Sequence, residues 1–92
     1  MEPSTIRRLE ARFPGAGGLS LFRRAWLPES ARRSVLLVHG WAEHSGRYEH
    51  VGEWLAARGC AVRAFDHRGH GRSAGPRGHA RRFDELLDDV AL

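Results

Sequence analysis

Apolar and polar positions alternate along the first part of the chain. Leu9, Ala11 and Phe13 are interleaved with Glu10 and Arg12, the period of a half-buried strand. Pro14-Gly15-Ala16-Gly17-Gly18 breaks the pattern. A second strand from Leu19 to Leu27 then sets Phe22 and Trp26 on one face and Leu19, Leu21, Ala25 and Leu27 on the other. Residues 5–27 therefore predict an antiparallel hairpin, followed by Pro28 and a polar link. The spacing changes at Val35-Leu36-Leu37-Val38, a continuous apolar run that predicts a strand over 34–38 buried on both faces. It ends in His39-Gly40, a turn. Helical periodicity follows over 47–58, with Tyr48, Val51, Gly52 and Leu55 on one face, Ser45 as the expected N-cap and Gly59 as the stop. A further strand is expected over 60–66 and a glycine-rich loop over 67–79. A last helix, 81–92, carries Phe83, Leu86, Leu87 and Val90 as its apolar stripe.

Strand, helix, strand over 34–66 is a parallel βαβ unit, and ligands gather at the carboxyl ends of such strands. The fold class is α/β, with a hairpin in front of that unit and the start of another helix behind it. In 92 residues this is one domain, expected to be incomplete. A chain of this size buries only about 60–65% of its unfolded surface. Strand 34–38 is expected to leave one edge open beside the uncovered stripe of the last helix, an aggregation liability.

Composition narrows the function classes. All fifteen basic residues are Arg and the net charge is +4, but the arginines fall in scattered pairs, so a basic nucleic-acid or phosphate-binding module is a competing reading without a patch to carry it. A single cysteine, Cys60, excludes an internal disulfide and a multi-cysteine metal site. No stretch approaches the ~20 apolar residues of a membrane span. Residues 1–13 lack the apolar core of a signal peptide, so the expected location is cytoplasmic.

Two motifs point to chemistry that their context denies. Gly71-Arg72-Ser73-Ala74-Gly75 has the G-x-S-x-G form of a nucleophile elbow, yet the strand ends near Asp66 and Pro76 stands where a helix should open. Gly69 to Ala74 also fits a dinucleotide fingerprint, and Pro76 and Gly78 oppose it in the same way. Six histidines show no helical His-x-x-x-His spacing with a carboxylate, and neither a metal nor a cofactor is expected. His39 and His67 are instead expected to brace the turns after their strands. Glu43 and Arg47, four apart, form an ordinary ion pair or a binding pair; spacing does not choose between them.

Residues 39–48, His-Gly-Trp-Ala-Glu-His-Ser-Gly-Arg-Tyr, and 65–73, Phe-Asp-His-Arg-Gly-His-Gly-Arg-Ser, resemble the monoacylglycerol lipase branch of the α/β-hydrolase fold, which includes lysophospholipase-like and serine aminopeptidase-like members. The resemblance covers nearly the whole chain. It implies that the Trp41 backbone N–H serves an oxyanion hole and that Glu43 and Arg47 lie near the polar end of a substrate site. It also implies structural turns at His39 and Gly40 and at Asp66, His67, Gly69 and Gly71. The family's nucleophile follows a fifth strand, with its acid and histidine further on, and none is matched here. Ala42 and Cys60 depart from the Gly and the aromatic residue common in relatives.

The expectation is the amino-terminal portion of a serine ester hydrolase for lipid-like or small ester substrates. It carries the oxyanion loop without the catalytic triad, and is inactive alone. The alternatives are an inactive truncated product or one half of a split enzyme completed by a second chain.

Overall fold

The structure, a computed structural model, describes residues 6–40, 43–78, 86 and 88–90. Four strands form one mixed sheet: β1 (Arg7–Pro14), β2 (Ser20–Leu27), β3 (Arg33–Val38) and β4 (Cys60–Phe65), in the order β1-β2-β4-β3. β1 and β2 are the antiparallel hairpin, in register from Arg7↔Leu27 to Pro14↔Ser20. Their turn is closed by the Gly15 N–H on the Leu19 carbonyl, at 2.7 Å, and passes through positive φ at Gly17 and Gly18, which glycine adopts without Cβ strain. β4 runs antiparallel to β2 and parallel to β3, with Val38 opposite Phe65.

The helix α1 (Glu49–Ala56) joins β3 to β4 and packs on one face of the sheet. Ile6, Trp26, Ala56, Val62 and Ala64 form the core there, with Leu37 and Leu55 against its rim. Gly52 admits the Trp26 ring: a Cβ at position 52 would meet ring atoms at 2.5–2.7 Å. On the opposite face Leu21 and Phe65 are buried, and Phe13 and Phe65 meet edge to face at 5.9 Å.

Three expectations are corrected. The run 35–38 is not buried on both faces. Val35 and Leu37 are half-buried, Leu37 against the core beneath α1, while Leu36 and Val38 on the other face are each 48% exposed. The helix does not start at residue 47. Ser45–Tyr48 is a 3-10 turn, and the α-helix opens at Glu49. Ser45 is not its N-cap, a position held by Tyr48 with no side-chain bond; the His44 ring caps the 3-10 turn by accepting the Gly46 N–H at 3.1 Å, and Ser45 is held elsewhere.

Of the expected helix 81–92, Leu86 and residues 88–90 are described and are helical. Leu86 is buried rather than uncovered, and Val90 borders an open groove of about 530 Å³ with Phe13, Leu36 and Phe65. Phe83 and Leu87 lie outside the described residues, as does His79 at the end of the glycine-rich loop. That helix is pinned by Asp89, fully buried, which takes two bonds from the Arg68 guanidinium at 2.9 Å and one from the Ala16 N–H at 2.9 Å.

Candidate functional site

Parallel strands β3 and β4 end side by side, so the residues just beyond them, His39-Gly40 and Asp66-His67, share one end of the sheet. Both histidines are buried and bond each other twice. The His67 backbone N–H donates to His39 Nε2 at 2.8 Å, and His67 Nε2 donates to the His39 carbonyl at 3.1 Å. Because His39 Nε2 accepts, its proton sits on Nδ1 and is donated to the Gly40 carbonyl at 2.6 Å. Both imidazoles are neutral. Burial pushes the pKa of His39 down; the Gly40 carbonyl opposes this and the nearby His70 ring adds to it. Burial does the same to His67, reinforced by His39.

Asp66 leaves β4 fully buried. Its Oδ1 accepts the Ser45 N–H at 2.6 Å and the Ser45 hydroxyl at 2.7 Å, and its Oδ2 accepts the Arg72 N–H at 2.8 Å. Burial opposes its ionisation, but these donors and the Arg24 charge together hold its pKa below the usual carboxylate range. Arg24, from β2, donates in turn to the Ser45 hydroxyl at 2.9 Å. Gly71, at φ +50°, is where the loop crosses the carboxylate; a side chain there would collide with Asp66 and with the His44 Cβ.

Ser73 is 3% exposed, and its hydroxyl is fully engaged: it donates to the Asp66 carbonyl at 2.5 Å and accepts the Phe22 N–H at 2.8 Å. This is a splice between loop and β2, not a presented nucleophile. The glycine-rich loop is filled by its own bonds. Gly69 N–H reaches the Ala74 carbonyl, Gly78 N–H the Gly69 carbonyl, and the Arg77 guanidinium the carbonyls of Gly71, Ser73 and Gly75. Among the described residues 67–78 no helix opens. Among the described residues, no group of three or more His, Cys, Asp or Glu side chains is arranged to hold a metal.

Trp41 and Ala42 lie outside the described residues; the residues that flank them, Gly40 and Glu43, bond each other. The Glu43 N–H donates to the Gly40 carbonyl at 3.2 Å, and the Gly40 N–H donates to Glu43 Oε2 at 3.2 Å. The other carboxylate oxygen accepts the Tyr48 hydroxyl at 2.9 Å, which is the main reason the Glu43 pKa is lowered and the Tyr48 pKa raised. Arg47 is 3.8 Å from the same oxygen with an exposed side chain, so Glu43 and Arg47 do approach, but Tyr48 and Gly40 are the closer partners.

Sequence reasoning missed Arg24, Tyr48 and the Arg68–Asp89 pair. Only Asp66, a carboxylate directly after a buried strand and five residues before a glycine, left a signal in the order of residues.

A hairpin leading into a parallel β3-α1-β4 unit, with turns bound at the carboxyl ends of β3 and β4, matches the amino-terminal part of an α/β-hydrolase. Residues 29–92 match the family described as serine aminopeptidase, S33, and the chain belongs to that family. It is similar to the monoacylglycerol lipase of Mycolicibacterium smegmatis, 47% identical over 83 residues, covering 89% of this chain and 30% of that protein. It is also similar to human monoglyceride lipase, 41% identical over 76 residues, covering 82% of this chain and 25% of that protein. Among solved structures, a thermostable carboxyl esterase from Bacillus coagulans superimposes with a TM-score of 0.68 at 34% identity, over 75% of this chain and 23% of that one. The chain thus spans about a third or less of these relatives. Among the described residues, no helix is long and apolar enough to cross a membrane.

Proposed function

We propose that residues 1–92 form the oxyanion side of a serine ester hydrolase that acts on acylglycerol-like or lysophospholipid-like esters. The observation that carries this reading is the pair of hydrogen bonds between Gly40 and Glu43 just beyond the carboxyl end of β3, in a chain 47% identical over 83 residues to a monoacylglycerol lipase. The Trp41 backbone N–H donates to the oxygen of the tetrahedral intermediate, and Arg47, its charge turned to solvent, meets the polar end of the substrate beside Glu43. His39, Gly40, Asp66, His67, Gly69 and Gly71 are scaffold, holding the two turns together. The serine that attacks the ester is not Ser73, whose hydroxyl is occupied, so these residues alone give no turnover and act with a complementing segment. Residues 1–92 are then one incomplete domain, in a protein of the cytoplasm.

The test places residues 1–92 in the Mycolicibacterium smegmatis monoacylglycerol lipase in place of its matching segment and measures monoacylglycerol hydrolysis. The hybrid hydrolyses the substrate. Trp41→Ala, which keeps the N–H, retains activity, whereas Trp41→Pro, which removes it, lowers kcat by about 10²–10³. Full activity in Trp41→Pro, or ester hydrolysis by the 92-residue chain that disappears in Ser73→Ala, would overturn the reading.

A further inference from the structure

Glu43 has two roles open to it at the mouth of this site. It could meet the substrate directly, or it could hold the protein in shape. The geometry separates them. One carboxylate oxygen takes the Gly40 N–H at 3.2 Å and the other the Tyr48 hydroxyl at 2.9 Å, while the Arg47 guanidinium stands further off at 3.8 Å. Position 40 is built for this approach: a Cβ there would lie 2.5 Å from Glu43 Oε2. With the Glu43 N–H also on the Gly40 carbonyl, residues 40 and 43 are joined through both backbone and side chain across the two residues between them. A backbone donor serves a developing oxyanion only if it is aimed before the reaction, since reorienting it during the step would cost part of what it contributes.

We infer that Glu43 is a positioning residue: its carboxylate ties the Gly40 N–H to the Tyr48 hydroxyl and so fixes the turn that carries the Trp41 N–H. The inference rests on the reading of Trp41 as the oxyanion donor. In this role Glu43 acts through Gly40 and Tyr48 and needs no contact with a reacting atom. It links the end of β3 to the entrance of α1, and the Tyr48 hydroxyl fixes which way its carboxylate faces. The carboxylate is ionised at neutral pH, since the Tyr48 hydroxyl holds its pKa below the usual carboxylate range.

Hydrogen exchange on the 92-residue chain, read by mass spectrometry on the peptide 38–44 against the β4 peptide 60–65, tests the brace. Glu43→Ala speeds exchange in 38–44 about tenfold and leaves 60–65 unchanged, as loss of one or two net hydrogen bonds requires. Glu43→Gln retains a side-chain oxygen acceptor and restores most of the protection. Tyr48→Phe, which leaves the turn residues intact, gives a smaller loosening of the same peptide. Unchanged exchange in 38–44, equal loosening of both peptides, or a Gln variant no better than Ala overturns the brace.

The hybrid enzyme tests its catalytic consequence. Glu43→Ala lowers kcat about 10–100-fold with KM nearly unchanged, the pattern of a mis-aimed donor. A raised KM with unchanged kcat would instead make Glu43 a substrate contact and overturn the positioning role. If 38–44 loosens as described but neither Glu43→Ala nor Trp41→Pro alters kcat, the oxyanion reading has failed, and the catalytic part of the inference with it.

Discussion

His39 and His67 are joined by two reciprocal hydrogen bonds, ring to backbone in each direction, with ring centroids 4.3 Å apart. The pair sews the ends of two parallel strands together just beyond their last ladder bonds. It works only with His39 neutral in the tautomer that the bonds define, because protonating His39 Nε2 would set a donor against the His67 N–H; His67 donates through Nε2, and it is burial that disfavours its charged form. The groups facing the pair are His70, Asp66 and Glu43 around His39, and His70 and Asp89 around His67.

The pair makes stability fall in mild acid. Both folded-state pKa values are lowered, so below about pH 6.5 the unfolded chain binds protons that the folded chain refuses. The contribution is fully present above that pH and is lost as pH falls toward the folded values. Thermal melts of the chain between pH 7.5 and 5 should show a falling Tm, with a shallower slope in His39→Asn. Asp66, whose pKa is also lowered, should add a second loss only below about pH 4.

Asp66 and Ser45 should behave as one unit. Asp66→Ala leaves the buried Ser45 N–H and hydroxyl and the part-buried Arg72 N–H without their acceptor and should cost roughly 3 kcal/mol; Ser45→Ala should cost about 1–2 kcal/mol. The double variant should lose less than the sum, by roughly 1 kcal/mol, in a urea-denaturation cycle. Additive losses would mean the two side chains act independently.

Ser73→Ala separates structure from chemistry. It strips the Phe22 N–H and the Asp66 carbonyl of a buried partner and should cost about 1–3 kcal/mol in urea. Hydrolysis by the hybrid enzyme should keep its kcat at temperatures where the variant remains folded.

Gly52→Ala should destabilise the chain although alanine favours helices. The gain of up to ~1 kcal/mol in propensity is outweighed by driving a methyl into the Trp26 ring, an overpacking cost of roughly 1–3 kcal/mol. Pairing it with Trp26→Leu should recover part of the loss in the same denaturation assay.

Much of the architecture was legible because it follows from period and punctuation. The hairpin is announced by alternation around Pro14 to Gly18, and the parallel unit by an apolar run, a helical stripe and Gly59, which takes φ +89° after α1. What misled was burial that depends on neighbours. The run Val35 to Val38 has the composition of an enclosed strand, but the exposure of Leu36 and Val38 depends on what packs against that face of the sheet, which four residues cannot encode. Ser45 has every local mark of a helix cap. It was recruited by a carboxylate 21 positions away, because a buried charge offers a hydroxyl more than a helix end does. The motif around Ser73 misread in the opposite sense, since the spacing of five residues says nothing of whether a hydroxyl is free.

The strand order β1-β2-β4-β3 sets a timetable for the growing polypeptide. β3 is made directly after β2 but does not lie beside it; its neighbour is β4, 22 residues after the end of β3 if counted from Val38 to Cys60. During synthesis the apolar run Val35 to Val38 must therefore wait, unpaired, until α1 and β4 have left the ribosome, and β4 must then find β2 and β3 together. At about 5–20 residues per second that wait lasts on the order of a second or more. For that interval the most adhesive segment of the chain has no partner, and the arginines that flank it, Arg32 and Arg33, are its nearest deterrent to neighbouring chains.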